Sequence, residues 1–196
     1  MSSIYGSAAG ANVIFGKNNA VVAFGGGGAE PLVEWYEELD ASPEEDGQIS
    51  AQAIYNIGAR GEAARASDSA MIGESVRQVK CYLKKATGAS GTITCKVSAV
   101  ADNTTRAIIG TKEAGDLGTS YELVTFGDED TTSYTLVEGD TICISFSDTG
   151  TIYTKQTNNT DVYDGTKSGK SYFLYAGLEA GWHSDGTEDW IAEFSG

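Results

Sequence analysis

The stretch GESVRQVKCYLKKATGASGTITCKVSAV, Gly73 to Val100, decides the fold. In its second half Ile93, Cys95, Val97 and Ala99 fall on one side of an extended chain. That period of two marks a strand with one buried face. The first half reads as a strand over 75–85, with Cys81 and Leu83 pointing inward. A hairpin centred on Gly88 places Cys81 directly across from Cys95, so a cross-strand disulfide is conceivable. Without an export signal, reduced and buried thiols are the preferred reading.

Strands of the same kind are expected on both sides, near 51–58, 91–100, 106–112, 121–126, 133–137, 141–147, 151–157, 171–177 and 189–194. In TICISF, Ile142, Ile144 and Phe146 share one side. Turn chemistry separates the strands: TGASG, ADNTT, GDED, VEGD, SDTG and YDGTKSGK. Short strands at this spacing imply a sandwich or barrel. No long helical pattern interrupts them, which excludes a parallel α/β sheet. GARGEAARASDSA, Gly58 to Ala70, is small and polar and is expected to be a loop crossing between sheets. The fold class is therefore all-β: an antiparallel, jelly-roll-like sandwich with an N-terminal extension.

The extension divides in two. Residues 1–28 hold NVIF and AVVAF on either side of GKNN, the pattern of a hairpin. A two-stranded ribbon is marginal in water, so Val13, Ile14, Phe15, Val21, Val22 and Phe24 need a surface, in this chain or in a neighbouring subunit. Gly25 to Gly28 follow. A phosphate-binding loop would continue into Gly-Lys-Ser/Thr or a βαβ unit, whereas here Ala29, Glu30 and Pro31 come next. The glycines read as a joint. Residues 29–48 then suggest a short acidic helix, with Leu32, Trp35, Tyr36 and Leu39 on one face. It would cap its own core or offer Trp35 and Tyr36 to another chain. The sandwich itself is assigned to 49–196.

Composition removes several function classes. The 196 residues carry 13 Lys and Arg against 28 Asp and Glu, a net charge of -15. Such a balance opposes binding to nucleic-acid backbones or anionic membranes. No run approaches the ~20 apolar residues of a membrane span. The first residues lack the basic and apolar regions of a secretory signal, so synthesis in the cytoplasm is expected. His183 is the single histidine, and no activated nucleophile or short Cys pair accompanies it. With 28 carboxylates a glycosidase pair cannot be picked out, and no enzyme is expected.

The most distinctive chemistry lies in AGWHSDGTEDWIAEFSG, Ala180 to Gly196. Trp182, His183 and Trp190 could meet a glycan. Asp185, Glu188 and Asp189 could supply oxygen ligands to calcium, although DGTED is not an EF-hand pattern; no other cofactor is expected. Against this, Trp190 alternates with Ala192 and Phe194, which is how a core position behaves.

Taken with TSYELVTF and YTLVEGDTICISFSDTG, the opening stretch resembles a recurring jelly-roll-like module. Such modules are similar to carbohydrate-binding-type surface domains and to domains of viral and phage structural proteins. The resemblance covers 49–196. It implies a structural protein of an assembled particle, such as a capsid, decoration, turret or tail component or a filament subunit, partnered by itself or by other particle proteins. The alternative it implies is a carbohydrate-binding or adhesive module, calcium-assisted or not. The expected location is a virion or an extracellular assembly.

Overall fold

The computed structural model describes residues 12–15, 21–24, 32–37, 45–50, 57–64, 67–157, 172–175, 181–184 and 189–196. The chain forms two compact units, Met1–Pro31 and Leu32–Gly196. In the first, β1 (Asn12–Phe15) pairs antiparallel with β2 (Val21–Phe24), Asn12 opposite Phe24 and Phe15 opposite Val21. The glycine run Gly25–Gly28 lies outside the described residues.

The second unit is built from two antiparallel sheets. The larger has seven strands. Its axis is β7 (Gln78–Lys85), which pairs along one edge with β10 (Glu122–Phe126). Along its other edge, β7 pairs first with β17 (Ala192–Ser195) and then with β13 (Thr151–Thr157). β16 (Asp189–Trp190) and β4 (Glu45–Ser50) flank β13, and β3 (Glu34–Glu37) flanks β17. The smaller sheet has six strands. From edge to edge they are β15 (Gly181–Ser184), β14 (Tyr172–Tyr175), β5 (Ile57–Ala63), β12 (Asp140–Phe146), β8 (Thr92–Ala99) and β9 (Thr105–Glu113). A short ladder joins β6 (Ser75–Val76) to β11 (Tyr134–Thr135). The all-β sandwich expected from the alternation is the observed fold.

The core follows from that alternation. Val79, Cys81 and Leu83 point inward from β7, and Val124 and Phe126 from β10. They meet Ile93, Cys95 and Val97 of β8 and Ile142, Ile144 and Phe146 of β12 in one buried cluster. VEGD makes the turn into β12: Gly139 has φ 89, and the Asp140 carboxylate accepts the Val137 amide at 3.0 Å and the Tyr134 hydroxyl at 3.0 Å.

Three local expectations are corrected. β7 and β8 do not form a hairpin; they belong to different sheets. The segment after Lys85 docks on the start of β13, with Ala86 N–H donating to the Thr151 carbonyl and Ser90 N–H to that of Thr149. This contact turns the chain across the sandwich. Gly150, at φ 95, permits it, since a Cβ there would lie 2.7 Å from the Ala89 Cα. Residues 34–37, expected in a helix, are strand β3 against β17. Gly58 to Ala63, expected in a loop, lie in β5 at the middle of the smaller sheet. Gly61 is required there, because a Cβ would sit 1.8 Å from the Ile142 carbonyl oxygen.

Candidate functional site

The residues nominated from the C-terminal segment are split by the fold. Trp182 and His183 lie in β15, opposite Leu174 and Phe173 of β14, in the smaller sheet. Asp189 and Trp190 lie in β16, in the larger. Asp185 and Glu188 fall outside the described residues. Among the described residues no three His, Cys, Asp or Glu side chains converge as a metal site would require.

Trp190 offers no ring to a glycan. It is fully buried, and its ring packs 5.7 Å from that of Phe194. The cause is a sharp bend. The chain runs along β13 as far as Trp190, then leaves at Ile191 to follow β7. Buried hydrogen bonds fix this corner. The indole Nε1–H donates to Thr154 Oγ1 at 2.7 Å, and Thr154 Oγ1 donates to the Tyr82 carbonyl at 3.2 Å. The Trp190 amide donates to Glu62 Oε1 at 2.5 Å. Glu62 shares the inner face of β5 with Arg60, whose Nη1 donates to Gln156 Oε1 at 2.9 Å and whose Nε donates to the Gln48 carbonyl at 3.2 Å. Arg60, Glu62 and Gln156 are all buried. One end of the sandwich interior is thus a polar seam that stitches β5 to β4, β13 and β16. Buried charges need such partners.

The thiols are structural. Cys81, Cys95 and Cys143 are free and buried. Burial pushes Cys143 up to about 12 and holds Cys81 and Cys95 well above the ordinary thiol range, so none carries the thiolate a nucleophile needs.

A cluster of tyrosines and lysines lies elsewhere, on the outer face of the larger sheet. The outward positions of β7 include Lys80, Tyr82 and Lys84, and those of β13 include Tyr153 and Lys155. Tyr121, just before β10, lies over them and donates its hydroxyl to the Thr154 carbonyl at 3.2 Å. The Lys155 ammonium stands 3.9 Å from the centre of the Tyr82 ring and 5.4 Å from that of Tyr121. The Lys84 ammonium stands 4.4 Å from Tyr121 and 5.1 Å from Tyr153. Rings and ammoniums therefore alternate in a stripe, each contact worth about 0.5–1 kcal/mol at an accessible site. Lys80 is neutralised by an ion pair with Glu193. Asp46 occupies the register position opposite Lys155. Leu123, opposite Tyr82 on β10, extends the face with an apolar side chain that is 48% exposed.

The far end of this sheet carries an exposed turn. After β10, Asp128, Glu129 and Asp130 are exposed in a tight turn. Asp128 Oδ1 accepts the Asp130 amide at 3.0 Å, and the Asp128 amide donates to Thr131 Oγ1 at 2.9 Å. Gln78 and Arg77, at the start of β7, donate to the carbonyls of Gly127 and Glu129. The sequence reading missed the stripe, although the outward positions of QVKCYLKK and TIYTKQT contain Lys, Tyr, Lys and Tyr, Lys. No family model, curated protein or solved structure matches this chain, so its site is defined by geometry alone.

Proposed function

We propose that this chain is a non-enzymatic structural subunit of an assembled particle: a viral or phage capsid, decoration, turret or tail component, or a filament subunit. The N-terminal hairpin makes subunit contacts, and the sandwich is the rigid body that faces outward. One observation carries the reading. Met1–Pro31 is a compact unit of its own, and its described part is one hairpin of four-residue strands. So small a ribbon gains stability by packing on something larger. The partners are then other copies or other particle proteins, within a virion or an extracellular assembly. Val13, Ile14, Phe15, Val21, Val22 and Phe24 remain the proposed hairpin contacts. Trp35 and Tyr36 are strand residues of β3 beside β17, and they join the contact surface only if that edge of the sheet does.

The test compares the full chain with one starting at Leu32. The cut must keep β3, because Val33 and Gly196 exchange backbone hydrogen bonds of 2.7 and 2.9 Å. Light scattering gives the mass and circular dichroism checks the body. Defined oligomers from the full chain and a folded monomer from the shorter one are expected. Two monomers would sink the proposal.

A carbohydrate-binding or adhesive role, with or without calcium, is the second reading. It is now favoured by Tyr82, Tyr121 and Tyr153 rather than by Trp190. Glycan binding lost in Tyr121→Ala, with the fold intact, is its expected signature.

A further inference from the structure

β9 is the end strand of the smaller sheet. It runs for nine residues, and among the described residues it pairs only with β8. The strand lies open, with Thr105, Arg106, Ile108, Thr111 and Glu113 all exposed. Ile108, near its middle, is 61% exposed. Proteins blunt so long an edge with proline, with charge or with a covering loop. From Ala107 to Thr111 β9 has neither proline nor charge. Its faces are also symmetric about Ile108. Ile108 stands opposite Lys96 in the register and points outward. Lys96 Nζ donates to Thr105 Oγ1 at 3.4 Å, which puts Thr105 on the same face, and Thr111, opposite Thr94, joins them. Ala107 and Ile109, on either side of Ile108, pack on the core. A Cβ on Gly110 would face Phe126, so that position is inward too. The register with β8 slips at Arg106 and at Ile109, so β9 bends on both sides of Ile108.

We infer that β9 is an interface for a second copy of this chain, the two strands pairing antiparallel about a two-fold axis at Ile108 and joining their smaller sheets into one. The self-complementary pattern selects the occupant. A second β9 turned about Ile108 sets its Thr111 against Thr105, its Gly110 against Arg106 and its Ile109 against Ala107. Outward residues meet outward, inward meet inward, and bend meets bend. Each Ile108 covers the other, a cross-strand apolar pair. No charge stands opposite a like charge: Arg106, which lies 4.0 Å from Asp140 of its own chain, meets a glycine, and Lys112 and Glu113 fall outside the paired span. The contact is isologous, as a two-fold requires. One edge pair is small beside a standard interface, so it is weak in dilute solution and gains strength where other contacts already hold subunits together. The inference stands on β9 alone and does not need the hairpin reading.

The experiment uses the full chain carrying Ile108→Cys, oxidised with glutathione disulfide and read on non-reducing gels. Directly opposed strand residues lie within disulfide range, and the three native thiols are buried, so the new cysteine is the one that reacts. Thr111→Cys is the control: it is exposed on the same face, but the two copies of Thr111 would lie roughly 20 Å apart along the paired strands. Ile108→Cys should cross-link at least about tenfold faster than Thr111→Cys. A mixture of Thr105→Cys and Thr111→Cys chains should cross-link to each other. A second measurement needs no cysteine. Deuterium exchange of the β9 amides should slow at least about threefold as protein rises from about 5 μM to 0.5 mM. Ile108→Lys sets two ammoniums face to face and should abolish that slowing, with the circular dichroism unchanged. Ile108→Cys cross-linking no faster than Thr111→Cys, or β9 exchange indifferent to concentration, would overturn this interface. Oligomers seen by light scattering in that case would leave the hairpin reading standing. The specific cross-link from a chain otherwise monomeric in dilute solution would uphold β9 and sink the hairpin reading.

Discussion

At the scale of single residues, Trp190 carries the clearest consequence. Its ring fills the core while its two N–H groups bind Thr154 and Glu62. Trp190→Phe keeps most of the volume and leaves Thr154 without its donor, so a loss of about 1–2 kcal/mol is expected in urea unfolding. Trp190→Ala should lose about 3–5 kcal/mol, because it also opens a cavity. Gly61→Ala should fail to give soluble folded protein, since the new methyl would collide with the backbone of β12. The alternation of Trp190 with Ala192 and Phe194 made its burial legible in the sequence. Its hydrogen-bond partners were not legible, for Thr154 and Glu62 are 36 and 128 positions away, and no local pattern encodes that distance.

At the scale of elements, strands with one wet face declared themselves and strands with special duties did not. β7 and β13 alternate cleanly, as does β8 over most of its length, and β12, buried on both faces, still alternates in hydropathy; the sequence places all four near their observed limits. Gly58 to Ala63 of β5 read as loop, because Arg60 and Glu62 sit where apolar residues would mark a buried face. They are buried as a pair of network members, which hydropathy scores as exposure. Residues 34–37 read as helix, because Leu32, Trp35, Tyr36 and Leu39 recur at helical spacing, and four strand residues paired to a distant partner leave no alternation to outweigh it. A hairpin would set Cys81 directly across from Cys95, whereas β7 and β8 lie in different sheets. These strand-borne thiols give a prediction in pH. Burial raises their pKa values in the folded state, so the native protein holds protons that the unfolded chain releases above about pH 8.5. Stability must therefore fall as pH rises through that value, on the order of 1 kcal/mol per thiol by pH 9.5. Urea titrations from pH 7.5 to 9.5 on the parent and on Cys143→Ala should differ in slope, with the variant less sensitive. Thiol reagents should modify none of the cysteines in the folded state at pH 8 and all three in denaturant.

At the scale of the molecule, excess negative charge sets the solution behaviour. A net charge of -15 repels itself within one subunit and between subunits. Screening acts within about 10 Å at 0.1 M salt, so the melting temperature should climb as NaCl rises from 10 to 150 mM, read by calorimetry on dilute protein. The overall charge and the two-sheet architecture were both plain from composition and turn spacing. The cluster of tyrosines and lysines on one face was hidden, because it depends on which strands lie side by side, and that order is a property of topology.

The bend at Ile191 has a bearing on biogenesis. β16 and β17 lie within the larger sheet, with β17 between β7 and β3 and β16 alongside β13, yet residues 189–195 leave the ribosome after every strand they join. β7 and β13 can pair at Leu83–Lys85, but the ends that diverge from that contact, Gln78–Cys81 of β7 and Gln156–Thr157 of β13, must wait without their partner until that stretch has cleared the exit tunnel. A nascent chain stalled before it would display an unfilled gap between two strands, a natural place for a chaperone to hold.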